Sequence, residues 1–227
     1  MSAADAIAGT LVASGIGADL ARRLAAYGEL VLDANRTRNL TAAREPGAFA
    51  EQILDALTLA GDLDGSLIDL GSGAGLPGIP LAIATGQPVV LVESVKKKAV
   101  FLSRALAALG VSGEVIAVRA ERLGADPAFR ERFRCATARA VASAPTVAEL
   151  TIPFLALGGR ALLQRGAMSD RERQALMDAA PILGAAFVEE RCLGGERRIL
   201  IVCKVAPTQA RFPRRDGIPE KRPLCYS

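Results

Sequence analysis

The chain has 227 residues, 51% of them hydrophobic, enough to bury a full core, and its 28 Lys and Arg against 24 Asp and Glu leave a formal charge of only +4. One α/β domain with an appendage therefore fits better than two domains, and the charge is a mild pointer to an anionic partner. Four cysteines without a C-x-x-C pair and the absence of histidine argue against a zinc or other metal site and remove the commonest general base.

The chain opens without the basic and then long apolar stretch of a secretory leader, and no run reaches the roughly 18 apolar residues that span a bilayer, so a soluble, cytoplasmic protein is expected. From Ile16 to Asn35 the apolar residues Ile16, Leu20, Leu24, Tyr27, Leu30 and Val31 recur at helical spacing, and Phe49 to Ala60 repeats the pattern with Ile53, Leu54 and Leu57. Between them, Asn35 to Thr41 and Arg44 to Gly47 read as a polar loop. Residues 1–62 thus form a helical extension, suited to covering a sheet edge or to touching substrate.

Residues 63–206 read as the main domain. Leu67 to Leu81 runs L-I-D-L-G-S-G-A-G-L-P-G-I-P-L, a strand, a turn with four glycines in eight positions, and a helix start. Val89 to Val92 is a buried strand ending in Glu93, followed by a helix from about Val95 to Leu109 whose opening Lys96, Lys97 and Lys98 read as a solvated face. Gly113 to Val118 and Cys135 to Val141 are further strands, the second placing Arg139 near its end. Thr146 to Leu157 reads as a helix interrupted by Pro153, Gly159 to Leu163 as a strand, and Asp170 to Met177 as a helix. Ala186 to Arg191 and Arg198 to Lys204 form a hairpin around Gly194-Gly195. Alternating strands and helices predict a doubly wound, mostly parallel sheet with one antiparallel hairpin at its C-terminal end. In such sheets ligands sit beyond the carboxyl ends of the strands, where Asp69, Glu93, Glu121 and Arg139 fall.

The glycine turn discriminates among nucleotide-binding loops. A P-loop needs Lys-Ser or Lys-Thr after the glycines, and none follows. A dinucleotide fingerprint places its third glycine where Leu76 stands. Asp69 lies two residues before Gly71, where it repels a pyrophosphate but suits an ammonium or sulfonium. Glu93, 22 residues after Gly71, is placed to accept both ribose hydroxyls, and Glu121 with the Ala120 amide to face an adenine edge. S-adenosylmethionine has these parts and no phosphate, which favours it over NAD.

The sequence resembles the small-subunit (16S) ribosomal RNA guanine-N7 methyltransferase family, also called glucose-inhibited division protein B, from about Ile16 to the tail. Asp69 to Leu81 is close to that family's signature, with Leu76-Pro77-Gly78-Ile79-Pro80 its most specific half. Asn39-Leu40-Thr41 with Arg44, Ile53-Leu54-Asp55, Glu93-Ser94 with Lys97, Arg119-Ala120-Glu121, Arg139-Ala140, Arg165-Gly166 and Glu196-Arg197 follow in the family's order. The resemblance implies a class I, Rossmann-like S-adenosylmethionine-dependent methyltransferase with cofactor contacts at Gly71, Leu76, Ala120, Glu121 and Arg139. Together with the reading of the residues, the expected cofactor set is Asp69, Gly71, Gly73, Leu76, Glu93, Ala120, Glu121 and Arg139. Ala34, Arg38, Gln52 and Arg198 depart from residues common in the family, at positions outside that set.

The implied reaction suits a chain without histidine, because guanine N7 carries a lone pair and no proton. No catalytic base is assigned. The segment 207–227 holds five basic and two acidic residues between Arg211 and Pro223, and its prolines prevent a regular helix. Arg211, Arg214, Arg215 and Lys221, with Arg197 and Arg198 of the hairpin, are the candidate RNA contacts; the tail reads equally as a disordered, solvated segment and as an arm that orders on RNA, and its deletion is expected to weaken RNA binding more than cofactor binding. The partner would be small-subunit ribosomal RNA, within the small subunit or its precursor, met by a monomer that uses no membrane. A non-catalytic ribosome-assembly module on the same fold and, further off, an NAD-dependent dehydrogenase remain alternatives.

Overall fold

A computed structural model describes residues 2–139 and 142–226. Its seven strands form one mixed sheet: β1 (Leu67–Leu70), β2 (Val89–Val92), β3 (Gly113–Ile116), β4 (Phe133–Arg139), β5 (Leu155–Arg165), β6 (Ala185–Cys192) and β7 (Arg198–Lys204), in the order β3-β2-β1-β4-β5-β7-β6. The pairs β2 with β3, β1 with β4 and β4 with β5 are parallel, while β7 runs antiparallel to both β5 and β6. The expected mostly parallel sheet with a terminal antiparallel hairpin is what forms. Two residues of the strand expected to end at Val141, Ala140 and Val141 themselves, lie outside the described residues.

The chain divides into two compact units, described in turn. The first comprises the residues up to Asp62 together with Ser72–Ala117. It holds α1 (Ala3–Ala13), α2 (Ala18–Arg38), α3 (Pro46–Leu57), α4 (Gly78–Thr85) and α5 (Lys96–Leu109) with β2 and β3. Helix α1 was not expected, since its alanine-rich sequence has only Ile7 and Leu11 buried, yet a capping box between Ser2 and Asp5 fixes its start. The apolar face of α2, with Leu24, Tyr27 and Val31, packs among α1 and α3, which contribute Ile7, Leu11, Phe49 and Ile53. Helix α2 runs three residues past Asn35, to an Asn39 in the left-handed region that ends it. Buried Asn35 then ties the loop: its amide donates to the Thr41 and Ala43 carbonyls, and its oxygen accepts from the Leu40 and Thr41 amides.

The second unit comprises Leu63–Gly71 and the residues from Val118 onward. It holds β1, β4, β5, β6 and β7 with α6 (Ala120–Leu123), α7 (Ala144–Thr151), α8 (Asp170–Ile182) and α9 (Ile218–Lys221). The helix expected to reach Leu157 stops at Thr151: Pro153 lies in a short 3-10 turn, and Leu155 already begins β5. A proline in mid-helix removes a hydrogen bond and clashes with the preceding turn, so the chain turns there into the sheet. Among the described residues no helix is long and apolar enough to cross a membrane.

The tail is folded. Arg130 donates to the carbonyls of Gly124, Thr208, Gln209 and Phe212, gathering four backbone acceptors on one guanidinium. Phe212 is buried, and Pro213 lies against Gly124, where an added Cβ would come within 2.8 Å of its ring. Lys204, fully buried at the root of the tail, donates to the Ile152 carbonyl and the Thr208 hydroxyl and pairs with Glu131 at 3.0 Å. Burial pushes the Lys204 ammonium below its ordinary value, with Glu131 opposing the shift.

Candidate functional site

The glycine turn is built inside the first unit. The Ser72 amide donates to the Val92 carbonyl at 3.1 Å, and the Ser72 carbonyl accepts from Gly75 and Leu76. Gly73 and Gly75 adopt φ of 58° and 103°. Space as well as conformation demands glycine at position 75, because a Cβ there would stand 2.5 Å from Ile79 Cδ1. The buried Tyr27 hydroxyl donates to the Ala74 carbonyl at 3.1 Å, a support that helical periodicity could not reveal.

Glu93, only 5% exposed, closes this turn. Its Oε2 accepts from the Gly73 amide at 3.0 Å and its Oε1 from the Val95 amide at 2.7 Å. A carboxylate has about four lone-pair sites, so each oxygen keeps acceptor capacity for a hydroxyl. The structure thus brings Gly73 and Glu93 together and leaves Glu93 able to receive a pair of ribose hydroxyls. Leu76 is buried immediately before α4.

The remaining expected cofactor residues belong to the second unit. Asp69 is fully buried on β1, and its Oδ1 accepts from the Thr137 hydroxyl of β4 at 2.9 Å. Gly71 follows β1 with φ of 69°. Ala120 and Glu121 open α6, and Arg139 is the half-buried last residue of β4. Glu121 is 8% exposed; its Oε1 accepts from the Gly217 amide at 2.8 Å and lies 3.5 Å from the Arg119 guanidinium. Beside it, Arg122 and Asp216 pair at 2.7 Å, and the Asp216 carboxylate holds the Arg122 guanidinium above its ordinary value. Asp216 and Gly217 had no signal in the sequence as site residues, since only the folded tail brings them 94 to 96 residues back along the chain.

The candidate RNA residues separate by what they touch. Arg211, Arg215 and Lys221 are exposed on the tail, Arg211 with its guanidinium 5.0 Å from the Phe212 ring centre. Arg197 is exposed at the hairpin turn. Arg198 instead folds onto that turn, donating to the Gly195 and Arg197 carbonyls and lying 3.4 Å from Glu190. Arg214 is committed inward: its side chain and amide donate to the fully buried Glu149 carboxylate, at distances down to 2.6 Å, and to the Arg222 carbonyl. A buried carboxylate needs such a partner, which gives Arg214 a structural use in place of the expected phosphate contact.

Comparison with known proteins places this geometry among relatives. The family model described as rRNA small subunit methyltransferase G matches residues 20–201. Ribosomal RNA small subunit methyltransferase G of Pelotomaculum thermopropionicum is 40% identical over 215 residues, covering 89% of this chain and 90% of its own. The protein of the same name from Roseiflexus sp. is 42% identical over 200 residues, covering 84% and 86%. Among solved structures, TYW2 of M. jannaschii in complex with AdoMet is similar at TM-score 0.53 and 15% identity, over 66% of this chain and 73% of that one. The mitomycin 7-O-methyltransferase MmcR is similar at TM-score 0.55 and 14% identity, over 82% and 63%. These structural likenesses concern the fold.

Proposed function

The chain belongs to the ribosomal RNA small subunit methyltransferase G family, and from that membership we propose that it transfers a methyl group from S-adenosylmethionine to N7 of one guanine in small-subunit ribosomal RNA. The observation that carries this reading is the glycine turn closed on Glu93, which lies inside the matched region. The turn presents backbone at Gly71 and Gly73 and a buried carboxylate with lone pairs to spare, a donor set that fits an amino acid and a ribose without phosphate.

Glu93 takes the ribose hydroxyls, Glu121 and the Ala120 amide take the adenine edge, and Leu76 supplies an apolar wall. Asp69, on β1, supplies negative charge for the amino-acid end, and Arg139 contributes from the end of β4. When bound, S-adenosylmethionine supplies a methyl group on a positively charged sulfur. Guanine N7 has an in-plane lone pair and no proton to lose, so no residue of this chain has to act as a base. Holding the two reactants in an attack geometry supplies on the order of 7–11 kcal/mol, more than the roughly 10²–10⁴-fold that a base would add. The chain's contribution is therefore position and field.

Residues 63–206 are the methyltransferase region, flanked by the helical extension 1–62 and the tail 207–227. RNA is met by the exposed Arg197, Arg211, Arg215 and Lys221, with Arg214 reserved for Glu149. The acceptor is the small subunit or its precursor, with the base turned out of its stack to reach the methyl group. The enzyme acts as a monomer in the cytoplasm.

The direct test is to incubate the protein with labelled S-adenosylmethionine and unmodified small subunits, then locate the label by nuclease digestion and mass analysis. Label on a single guanine N7 is expected. Label on an exocyclic amine or on protein would overturn the substrate, and no label despite tight binding of subunits would favour a non-catalytic assembly factor.

A further inference from the structure

The sequence offered the tail as a solvated segment or an RNA-contacting arm, yet one of its amides sits on a carboxylate assigned above to the cofactor. Glu121 lies on α6, a helix of four residues with no side-chain cap to stiffen its start. Its carboxylate has a fixed direction only if something outside α6 holds it. Gly217 does so, its amide 2.8 Å from Oε1, with the Arg119 guanidinium 3.5 Å from the same oxygen, and Oε2 keeps acceptor sites for a ligand. We infer that the C-terminal strap is a built part of the cofactor site, in which the Gly217 amide and the Arg122–Asp216 pair position Glu121 to receive the adenine amine.

The strap is anchored on both sides of this contact. Ahead of it, Arg130 collects the Thr208, Gln209 and Phe212 carbonyls, and Arg214 is bound to buried Glu149. Beyond it, the Thr146 hydroxyl donates to the Pro219 carbonyl at 2.9 Å. Between these anchors, Arg122 grips Asp216 at 2.7 Å, tying α6 itself to the residue next to Gly217. Gly217 stands at φ 72°, ψ −4°, a left-handed conformation that aims its amide at Glu121. Nothing lies within 4 Å of where its Cβ would be, so conformation and not space requires glycine there. A carboxylate at 8% exposure with one oxygen fixed this way offers its second oxygen only as an acceptor, which suits an amine and discriminates against a carbonyl in the same place, because two facing acceptors repel. Gly217 and Asp216 are positioning residues, acting through Glu121.

This inference rests on the adenine role given to Glu121 above, and the experiment separates the two. The full-length chain and the variants Glu121→Ala, Asp216→Ala and Gly217→Ala are titrated calorimetrically with S-adenosylhomocysteine and with its inosine counterpart, which carries a carbonyl in place of the adenine amine. Melting temperatures of all four proteins are recorded alongside. Glu121→Ala is expected to weaken S-adenosylhomocysteine binding on the order of tenfold, the scale of one hydrogen bond to a charged group, and to abolish preference over the inosine analogue. Asp216→Ala and Gly217→Ala are expected to lose several-fold in the same direction while binding the inosine analogue as before. If Glu121→Ala loses the preference and the two strap variants keep it, the strap inference is wrong and the role of Glu121 stands. If the strap variants lose both ligands equally, they have only loosened the fold, which also overturns the inference. If Glu121→Ala binds and discriminates like the parent, the adenine role falls and the inference falls with it.

Discussion

At the scale of single residues, the glycine turn owes its shape to two different constraints. Glu93 fixes the turn electrostatically, taking the amides of Gly73 and Val95 on its two oxygens. Removing it frees both amides and deletes the acceptor for the ribose. Glu93→Ala is expected to weaken S-adenosylhomocysteine binding by about ten- to a hundredfold, the worth of a charged hydrogen bond or two, while RNA affinity changes little; calorimetry and filter binding compare the two. Gly75 is constrained by space: with φ of 103° and Ile79 Cδ1 at 2.5 Å from a hypothetical Cβ, Gly75→Ala both strains the backbone and displaces a core side chain. A loss of about 1–3 kcal/mol is expected, visible as a melting temperature lower by roughly 2–4 °C for each kcal/mol. The acidic residue, the glycines and Glu93 were legible in the sequence because each has a positional meaning relative to a strand end. Tyr27, Thr137 and Gly217 were not, because a tyrosine at helical spacing reads as core and the partners of the other two are brought by pairing and folding across tens of residues.

At the scale of elements, strand positions were readable wherever β-branched residues met turn signals, as at Val89–Val92 and Arg198–Lys204. Lengths were less so: β5 begins four residues earlier than its apolar run suggests, since Gly158 and Gly159 hide the strand ahead of them. The hairpin formed by β6 and β7 carries a charge cluster that pattern alone did not suggest. Glu190 on β6 accepts from Arg173 of α8 at 2.7 Å and lies near Arg198 of β7, and the Arg173 bond holds its carboxyl below the ordinary value of 4.5. A folded-state value below the unfolded one means stability that is complete above about pH 4.5 and is lost as the pH falls through the folded value. Glu190→Gln is accordingly expected to cost about 1 kcal/mol at pH 7, as befits a partly exposed pair, and progressively less as the pH falls below 4.5 and through the lowered folded-state value. Melting curves recorded from pH 7 downward through the acid range check it, and a cost that does not shrink with falling pH would show that the cluster acts through packing and not charge.

At the scale of the whole molecule, net charge misstates how much basic surface is free for RNA. Arg130 and Arg214 spend their donors on the protein itself, and Arg198 folds back on its own hairpin. The basic residues that the tail exposes include Arg211, Arg215 and Lys221, carried on a strap that is anchored elsewhere along its length. Composition made the tail look like a solvated arm because its anchors, Arg130 and Glu149, lie 82 and 65 residues away in sequence from the groups they hold. The two sets of residues on the strap predict separable losses. Replacing Arg211, Arg215 and Lys221 together by alanine leaves every anchor in place, so the fold and cofactor affinity should hold while RNA binding weakens. Each phosphate contact to a single strand contributes about 0.7 to the slope of log affinity against log salt, so three lost contacts should reduce that slope by about 2. Cutting the chain before Arg214 instead strips the partner from a fully buried Glu149, which is expected to destabilise the fold by about 3–5 kcal/mol. Salt titrations of RNA binding and denaturant melts of the two variants distinguish these effects: a triple variant with an unchanged slope would remove Arg211, Arg215 and Lys221 from the RNA interface, while a truncated chain as stable as the parent would mean that Glu149 does not depend on the strap.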